Sequence, residues 1–194
     1  MTRTGKWMGA VGVLVLAATA GALLLAGCNG GGGKGIPKSP KATSYLCEEC
    51  KYVFGIPTDT PMTERIYPPM VCPQCSKRAA VQAFYYEPKA GGKPDLYKML
   101  KYSDEQIRAF EAYIKSLPAD SKNAPSPEEA LAAEGFQTLE KYPGTDKWLR
   151  TWGDKPEGRP PLTALNEIRD KYKSIIPVFD KDWPIKEAKE IKQW

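Results

Sequence analysis

The sequence predicts an α+β protein, in which a small β module with a metal site precedes a mostly α-helical C-terminal region. Two C-x-x-C pairs, at 47–50 and 72–75, each lie between short runs of aromatic and β-branched residues, which favour strands. After Pro94 the pattern changes to apolar residues at helical spacing, which begin behind Ser-initiated capping boxes. The order of these patterns along the chain gives the predicted fold class.

The cysteines of the two pairs are the candidate metal ligands: Cys47, Cys50, Cys72 and Cys75. Two thiolates spaced C-x-x-C can hold one ion from a single turn. Two such turns face to face give the tetrahedral geometry of structural zinc. The chain contains no His, so all four ligands would be sulfur. The pattern therefore predicts one zinc ion that stabilises the module and leaves no coordination position open for catalysis.

Residues 45–87 resemble a zinc ribbon or its iron-binding relative, rubredoxin. The motif order that carries the resemblance is Tyr45-x-Cys47-x-x-Cys50-x-Tyr52-x-Phe54, then Cys72-Pro73-x-Cys75. The sequence differs from rubredoxins in a shorter loop between the pairs, the absence of a core Trp, and Lys51 and Ser76 where rubredoxins carry Gly. The resemblance implies a metal-bearing domain over 44–88, with iron as the alternative to zinc.

The N-terminal segment has the pattern of a secretory signal. Arg3 and Lys6 precede an uncharged apolar run that extends to Gly27. The run ends in Leu25-Ala26-Gly27-Cys28, which resembles the bacterial lipobox. The resemblance implies that residues 1–27 are removed and that Cys28 carries a diacylglycerol anchor. The alternative is a transmembrane helix, because the run is long enough to span a bilayer.

Residues 28–43 are rich in Gly, Pro and Lys and are predicted to be a tether. The lipoprotein resemblance implies attachment to the bacterial cell membrane or outer membrane through the lipid on Cys28, with the domain facing the periplasm or the exterior. An unidentified protein partner is also expected. The net charge is only +5, and basic and acidic residues are interleaved, so no nucleic-acid partner is expected.

Residues 95–194 are predicted to be mostly helical, after a Pro- and Gly-containing loop at 88–94. The first predicted helix begins at Ser103 and ends before Pro118. The second runs from Ser126 to about Tyr142, the third runs from Thr163 to before Pro177, and a last short helix follows Pro184. This half has no Cys and no Gly-rich phosphate loop.

The sequence thus predicts a lipid-anchored cell-envelope protein with a structural zinc module, which acts as an interaction or structural protein without catalysis. Two alternatives stay open. One is a rubredoxin-like iron electron carrier, and the other is a thiol-disulfide protein that uses one C-x-x-C pair. Free thiols tend to oxidise outside the cytoplasm, so a metal bound early would also protect them.

Overall fold

Strands form on both sides of each cysteine pair, as the aromatic and β-branched runs predicted. In the computed structural model, β1 (Ala42–Cys47) and β2 (Val53–Pro57) pair antiparallel around the first cysteine turn. Around the second turn, β3 (Met70–Val71) pairs antiparallel with β4 (Arg78–Tyr86). Each pair of cysteines therefore lies at the turn of a hairpin, with Cys47 as the last residue of β1.

The structure describes residues 41–119, 121, 123–151 and 164–194. The signal segment 1–27, Cys28 and nearly all of the tether 28–43 lie outside the described residues, so the predictions made for them stay predictions. Within the described part, no helix is long and apolar enough to cross a membrane.

The described strands form one antiparallel sheet, and together with three helices they make the fold α+β, as predicted. Beyond β4 the sheet continues through β5 (Asp95–Lys101), β6 (Leu139–Lys141) and β7 (Leu149–Arg150). The strand order is β2-β1-β4-β5-β6-β7, and β3 pairs with β4 beside this path.

The C-terminal region is less helical than predicted. Helix α1 (Asp104–Ser116) begins at the Ser103 capping box and ends before Pro118, as expected. Helix α2 (Pro127–Ala132) has the predicted Ser126 cap, but it ends well before Tyr142. Gly135 adopts a left-handed φ of 86°, which favours glycine and ends the helical turn. The segment 139–141 then joins the sheet as β6 instead of continuing the helix.

The two later helix predictions are only partly confirmed. Helix α3 spans Ala164–Lys171, and its predicted cap, Thr163, lies outside the described residues. The segment after Pro184 forms only a 3-10 turn at Ala188–Glu190. Leu149–Arg150, between the second and third predicted helices, is strand β7.

The loop at 88–94 connects two paired strands. Strands β4 and β5 pair antiparallel, from Gln82 opposite Leu100 at one end to Tyr86 opposite Asp95 at the other. The described residues belong to one compact unit spanning 37–194. The predicted division into a domain at 44–88 and another at 95–194 stays a prediction, and it must be compatible with this shared sheet.

Candidate metal centre

The two C-x-x-C segments form turns with the same backbone hydrogen bonds. In the first, Lys51 N donates to Cys47 O at 2.9 Å and Cys47 N donates to Tyr52 O at 2.9 Å. In the second, Ser76 N donates to Cys72 O at 2.9 Å and Cys72 N donates to Lys77 O at 2.8 Å. The same pattern at both sites shows that each cysteine pair is held by an equivalent turn.

Both turns need a left-handed residue directly after the second cysteine. Lys51 has φ 61° and Ser76 has φ 60°, and both are non-glycine residues. These are the positions where the resemblance to rubredoxin leads one to expect Gly. The chain therefore keeps the backbone conformation that glycine favours, although it carries other residue types there. An L-residue in this region costs roughly 1–2 kcal/mol.

This strain gives a stability prediction. Lys51→Gly and Ser76→Gly should each raise the free energy of unfolding by up to about 1 kcal/mol, because relief of left-handed strain exceeds the added chain entropy of glycine. Denaturant unfolding at a fixed free-metal concentration measures the change. The matched control is Lys77→Gly, which carries no positive φ and should destabilise by about 0.5–1 kcal/mol. Destabilisation by all three substitutions would contradict the prediction.

Strand β4 brings the two hairpins together at Ala80. This residue pairs with Cys47 of β1 on one edge and with Met70 of β3 on the other. Ala80 is fully buried, and its small side chain lies in the same core cluster as Cys47 and Cys72. The register of three strands thus places the two cysteine turns side by side.

The four cysteine sulfurs form a cluster that could hold one metal ion. All four Sγ atoms lie within 4.8 Å of one another. Cys47 Sγ is 3.6 Å from Cys75 Sγ, and Cys50 Sγ is 3.7 Å from Cys72 Sγ. A tetrahedron with metal–sulfur bonds of about 2.3 Å has sulfur–sulfur edges of about 3.8 Å. The cysteines are not joined in disulfides, and their spacing fits a four-thiolate site.

The pKa values of the thiols differ because burial and backbone hydrogen bonds act on them unequally. A backbone hydrogen bond from Tyr52 lowers the pKa of the exposed Cys50 thiol to about 7. Burial raises the pKa of Cys72 to about 12 and also raises the pKa of Cys47. Metal ions bind the thiolate form, so metal uptake must displace protons from the two buried thiols and is weakened as the pH falls.

Charged side chains surround the turns, and several are paired with each other. Lys141 Nζ lies 3.1 Å from Glu48 Oε1, and Lys77 Nζ lies 3.3 Å from Glu49 Oε2. Glu48 is half-buried and is anchored to strand β6 by Lys141. This ion pair ties the first cysteine turn to the C-terminal half of the chain.

The sequence did not reveal that the C-terminal tail completes the core around the cysteines. That core, here called the knuckle core, comprises Tyr45, Cys47, Phe54, Ile56, Met70, Cys72, Ala80, Ala188 and Ile191. The sequence predicts a helix after Pro184, but the buried side chains of Ala188 and Ile191 come from a 3-10 turn and the residue that follows it.

Backbone hydrogen bonds hold the tail against both cysteine hairpins. Gly55 N donates to Pro184 O and Lys186 N donates to Gly55 O, both at 2.8 Å, while Val71 N donates to Lys192 O at 2.9 Å. The ring of Phe179 packs where a Cβ on Gly55 would lie, with Cζ only 2.7 Å from that position. Gly55 is thus required for the close approach of the tail to β2.

Comparison with known protein families, with curated proteins and with solved structures finds no match to this chain.

Proposed function

We propose that this chain is a lipid-anchored cell-envelope protein whose four cysteines hold one zinc ion as a structural element. In this proposal it acts as an interaction or structural module and performs no catalysis of its own. The observation that carries the proposal is the closed cluster of four sulfurs, all within 4.8 Å of one another. Four thiolates complete a tetrahedral zinc shell, which leaves no position for a substrate or an activated water.

The position of the cysteines in the core supports a structural role. Cys47 and Cys72, the first residue of each pair, are fully buried in the knuckle core. An ion bound there would cross-link the hairpin β1–β2 to the hairpin β3–β4 from the inside. Small modules with few core residues commonly depend on such a metal for their stability.

We further infer that residues 44–88 form a zinc-ribbon-like or rubredoxin-like module. The support is the equivalence of the two turns, each closed by the same backbone hydrogen bonds and each followed by a left-handed residue, Lys51 or Ser76. Each turn also lies in the connection of an antiparallel hairpin.

One observation favours an iron electron carrier as the second candidate. Cys50 is exposed, whereas Cys47 and Cys72 are buried, so one ligand of the site lies at the protein surface. A surface ligand would give an electron a short path between the ion and a docked partner. Reversible loss of visible absorption on reduction would support this candidate, whereas a colourless, redox-inactive ion supports the structural zinc.

The anchor is tested by Cys28→Ser. In the proposal, Cys28 receives the lipid before the signal 1–27 is removed, so the variant should stay an uncleaved precursor without lipid. The wild-type chain should partition into detergent and have the mass of an acylated Cys28 N-terminus. Intact-mass spectrometry of the membrane fraction measures both. A mature wild-type protein that keeps residues 1–27 would contradict the lipid anchor and indicate a membrane-spanning helix instead.

A further inference from the structure

Three buried polar atoms without hydrogen-bond partners point to a second site, which is lined by residues other than the four cysteines. Among the residues that the structure describes, the buried side-chain atoms that lack a partner are Tyr67 Oη, Glu128 Oε2 and Gln137 Oε1. Leaving a buried polar group unpaired is costly, so such groups normally meet a ligand or an ordered water. Their shared location is therefore informative.

All three atoms belong to residues that line two neighbouring cavities. The first cavity has a volume of about 270 Å³ and is lined by Tyr67 and Glu128 among others. The second, also about 270 Å³, is lined by Glu128 and Gln137. The two cavities share Tyr102 and Glu128 as walls. A volume of this size accommodates a small metabolite.

The first cavity offers one positive and one negative group with unused hydrogen-bonding capacity. Arg65 Nη1 lies 3.8 Å from Glu128 Oε2, which is an ion-pair distance but is too long for a hydrogen bond. The Glu128 oxygen is buried and can only accept, whereas the Arg65 guanidinium can only donate. The site is thus electrically neutral overall, with one donor pole and one acceptor pole.

Tyrosines add donors and aromatic faces to the same cavity. Tyr45, Tyr67 and Tyr102 all line it, and Tyr67 is only 4% exposed. Burial, reinforced by the negative charge of Glu128, raises the pKa of all three phenols, so they stay neutral hydroxyl donors. The Tyr67 ring is fixed by Phe110, at a centroid distance of 4.5 Å, so its hydroxyl is positioned before any ligand arrives.

We propose that this cavity binds a small zwitterion of the α-amino-acid class. Its carboxylate would accept hydrogen bonds from Arg65 and the Tyr67 hydroxyl, and its ammonium group would donate to Glu128 Oε2. The aromatic faces of the tyrosines add cation–π attraction for the ammonium group. A zwitterion matches both poles at zero net charge and satisfies two of the unpaired atoms together. This site does not depend on the nature of the metal or of the anchor.

Calorimetric titration of the full metal-loaded chain in detergent tests the proposal. The probes are glycine, L-alanine, L-leucine and L-glutamine, with glycerol and glucose as polyol comparisons. At least one amino acid should bind with one-to-one stoichiometry and raise the unfolding temperature. Binding by no probe would assign the cavity to ordered water and overturn the proposal. Binding of a polyol but of no amino acid would overturn it equally.

Two variants locate the binding. Glu128→Gln should weaken amino-acid affinity about tenfold or more, because a charge-assisted hydrogen bond is lost. Glu134→Gln, which changes an exposed acid two residues beyond the end of α2, is the matched control and should leave affinity unchanged. Unchanged affinity in Glu128→Gln would place the binding elsewhere and contradict the proposal.

Tyr67→Phe keeps the test decisive if Glu128→Gln fails to fold. It removes only a hydroxyl that has no partner in the free protein, so the ligand-free stability should be equal or higher. Amino-acid affinity should nevertheless fall about three- to tenfold, as expected for one hydrogen bond. An unaltered affinity would show that this hydroxyl does not contact the ligand and would contradict the assigned pose.

Discussion

Cys72→Ser should abolish stoichiometric metal binding and unfold the sheet around the cysteine turns. A structural zinc site can be worth on the order of 10 kcal/mol, which is comparable to the whole stability of an ordinary domain. Cys72 is also fully buried in the knuckle core, so the loss occurs at the centre of the packing. Metal analysis and near-ultraviolet circular dichroism of the purified variant measure the two effects.

The matched control is Gln74→Ala, in the same turn. The Gln74 side chain is exposed, and its backbone N–H, 3.4 Å from Cys72 Sγ, is kept in the variant. This control should retain full metal content and native stability. A Cys72→Ser protein that still binds one ion and unfolds like the wild type would show that the cluster is not a metal site.

The reach of the unfolding also tests the predicted division at 88–94. Strand β5 pairs directly with β4, so we expect loss of the metal to destabilise the sheet beyond this loop. Amide hydrogen exchange in α1 and β5 of the Cys72→Ser variant reports how far the loss extends. Native protection there would support two separately stable domains.

Ile191→Asp should destabilise the metal module from the opposite end of the chain. The Ile191 side chain is only 6% exposed and packs in the knuckle core with Cys47 and Cys72. Removing this side chain and burying an unpaired carboxylate should cost about 3–5 kcal/mol. Denaturant unfolding of the metal-loaded protein, with metal release followed in parallel, measures the change.

Ile185→Asp is the matched control, because it makes the same substitution in the same tail. Ile185 is 53% exposed, so the new carboxylate stays in water and the free energy of unfolding should change by less than about 0.5 kcal/mol. Equal effects of the two substitutions would contradict the assignment of the tail to the core around the cysteines.

The features that the sequence predicted well are determined by neighbouring residues. The Ser103 and Ser126 capping boxes marked two helix starts correctly, because cap hydrogen bonds form within one turn. The cysteine cluster could also be predicted from the sequence, because each C-x-x-C pair supplies half of the ligand set within one turn. The predicted extension of the second helix to about Tyr142 is wrong, although the left-handed Gly135 after α2 is itself a local signal for the helix end.

The features that the sequence did not predict depend on distant partners. In strand β5, Leu96, Lys98 and Leu100 occupy alternate positions. Pairing with β4 and β6, and not this local pattern, decides that the segment is a strand. The same holds for β6, which lies where a helix was expected. The tail joins the knuckle core through contacts with residues more than one hundred positions earlier, which no local pattern encodes.

The metal content of the purified full chain, measured by inductively coupled plasma mass spectrometry together with its visible spectrum, tests whether the four cysteines hold a structural zinc ion. We expect about one equivalent of zinc per chain, no visible colour and no redox activity, with all four thiols protected from alkylation until a chelator removes the ion. One equivalent of iron with a colour that bleaches reversibly on reduction would contradict the structural zinc and favour the electron carrier. Two disulfides with no metal would remove the site altogether.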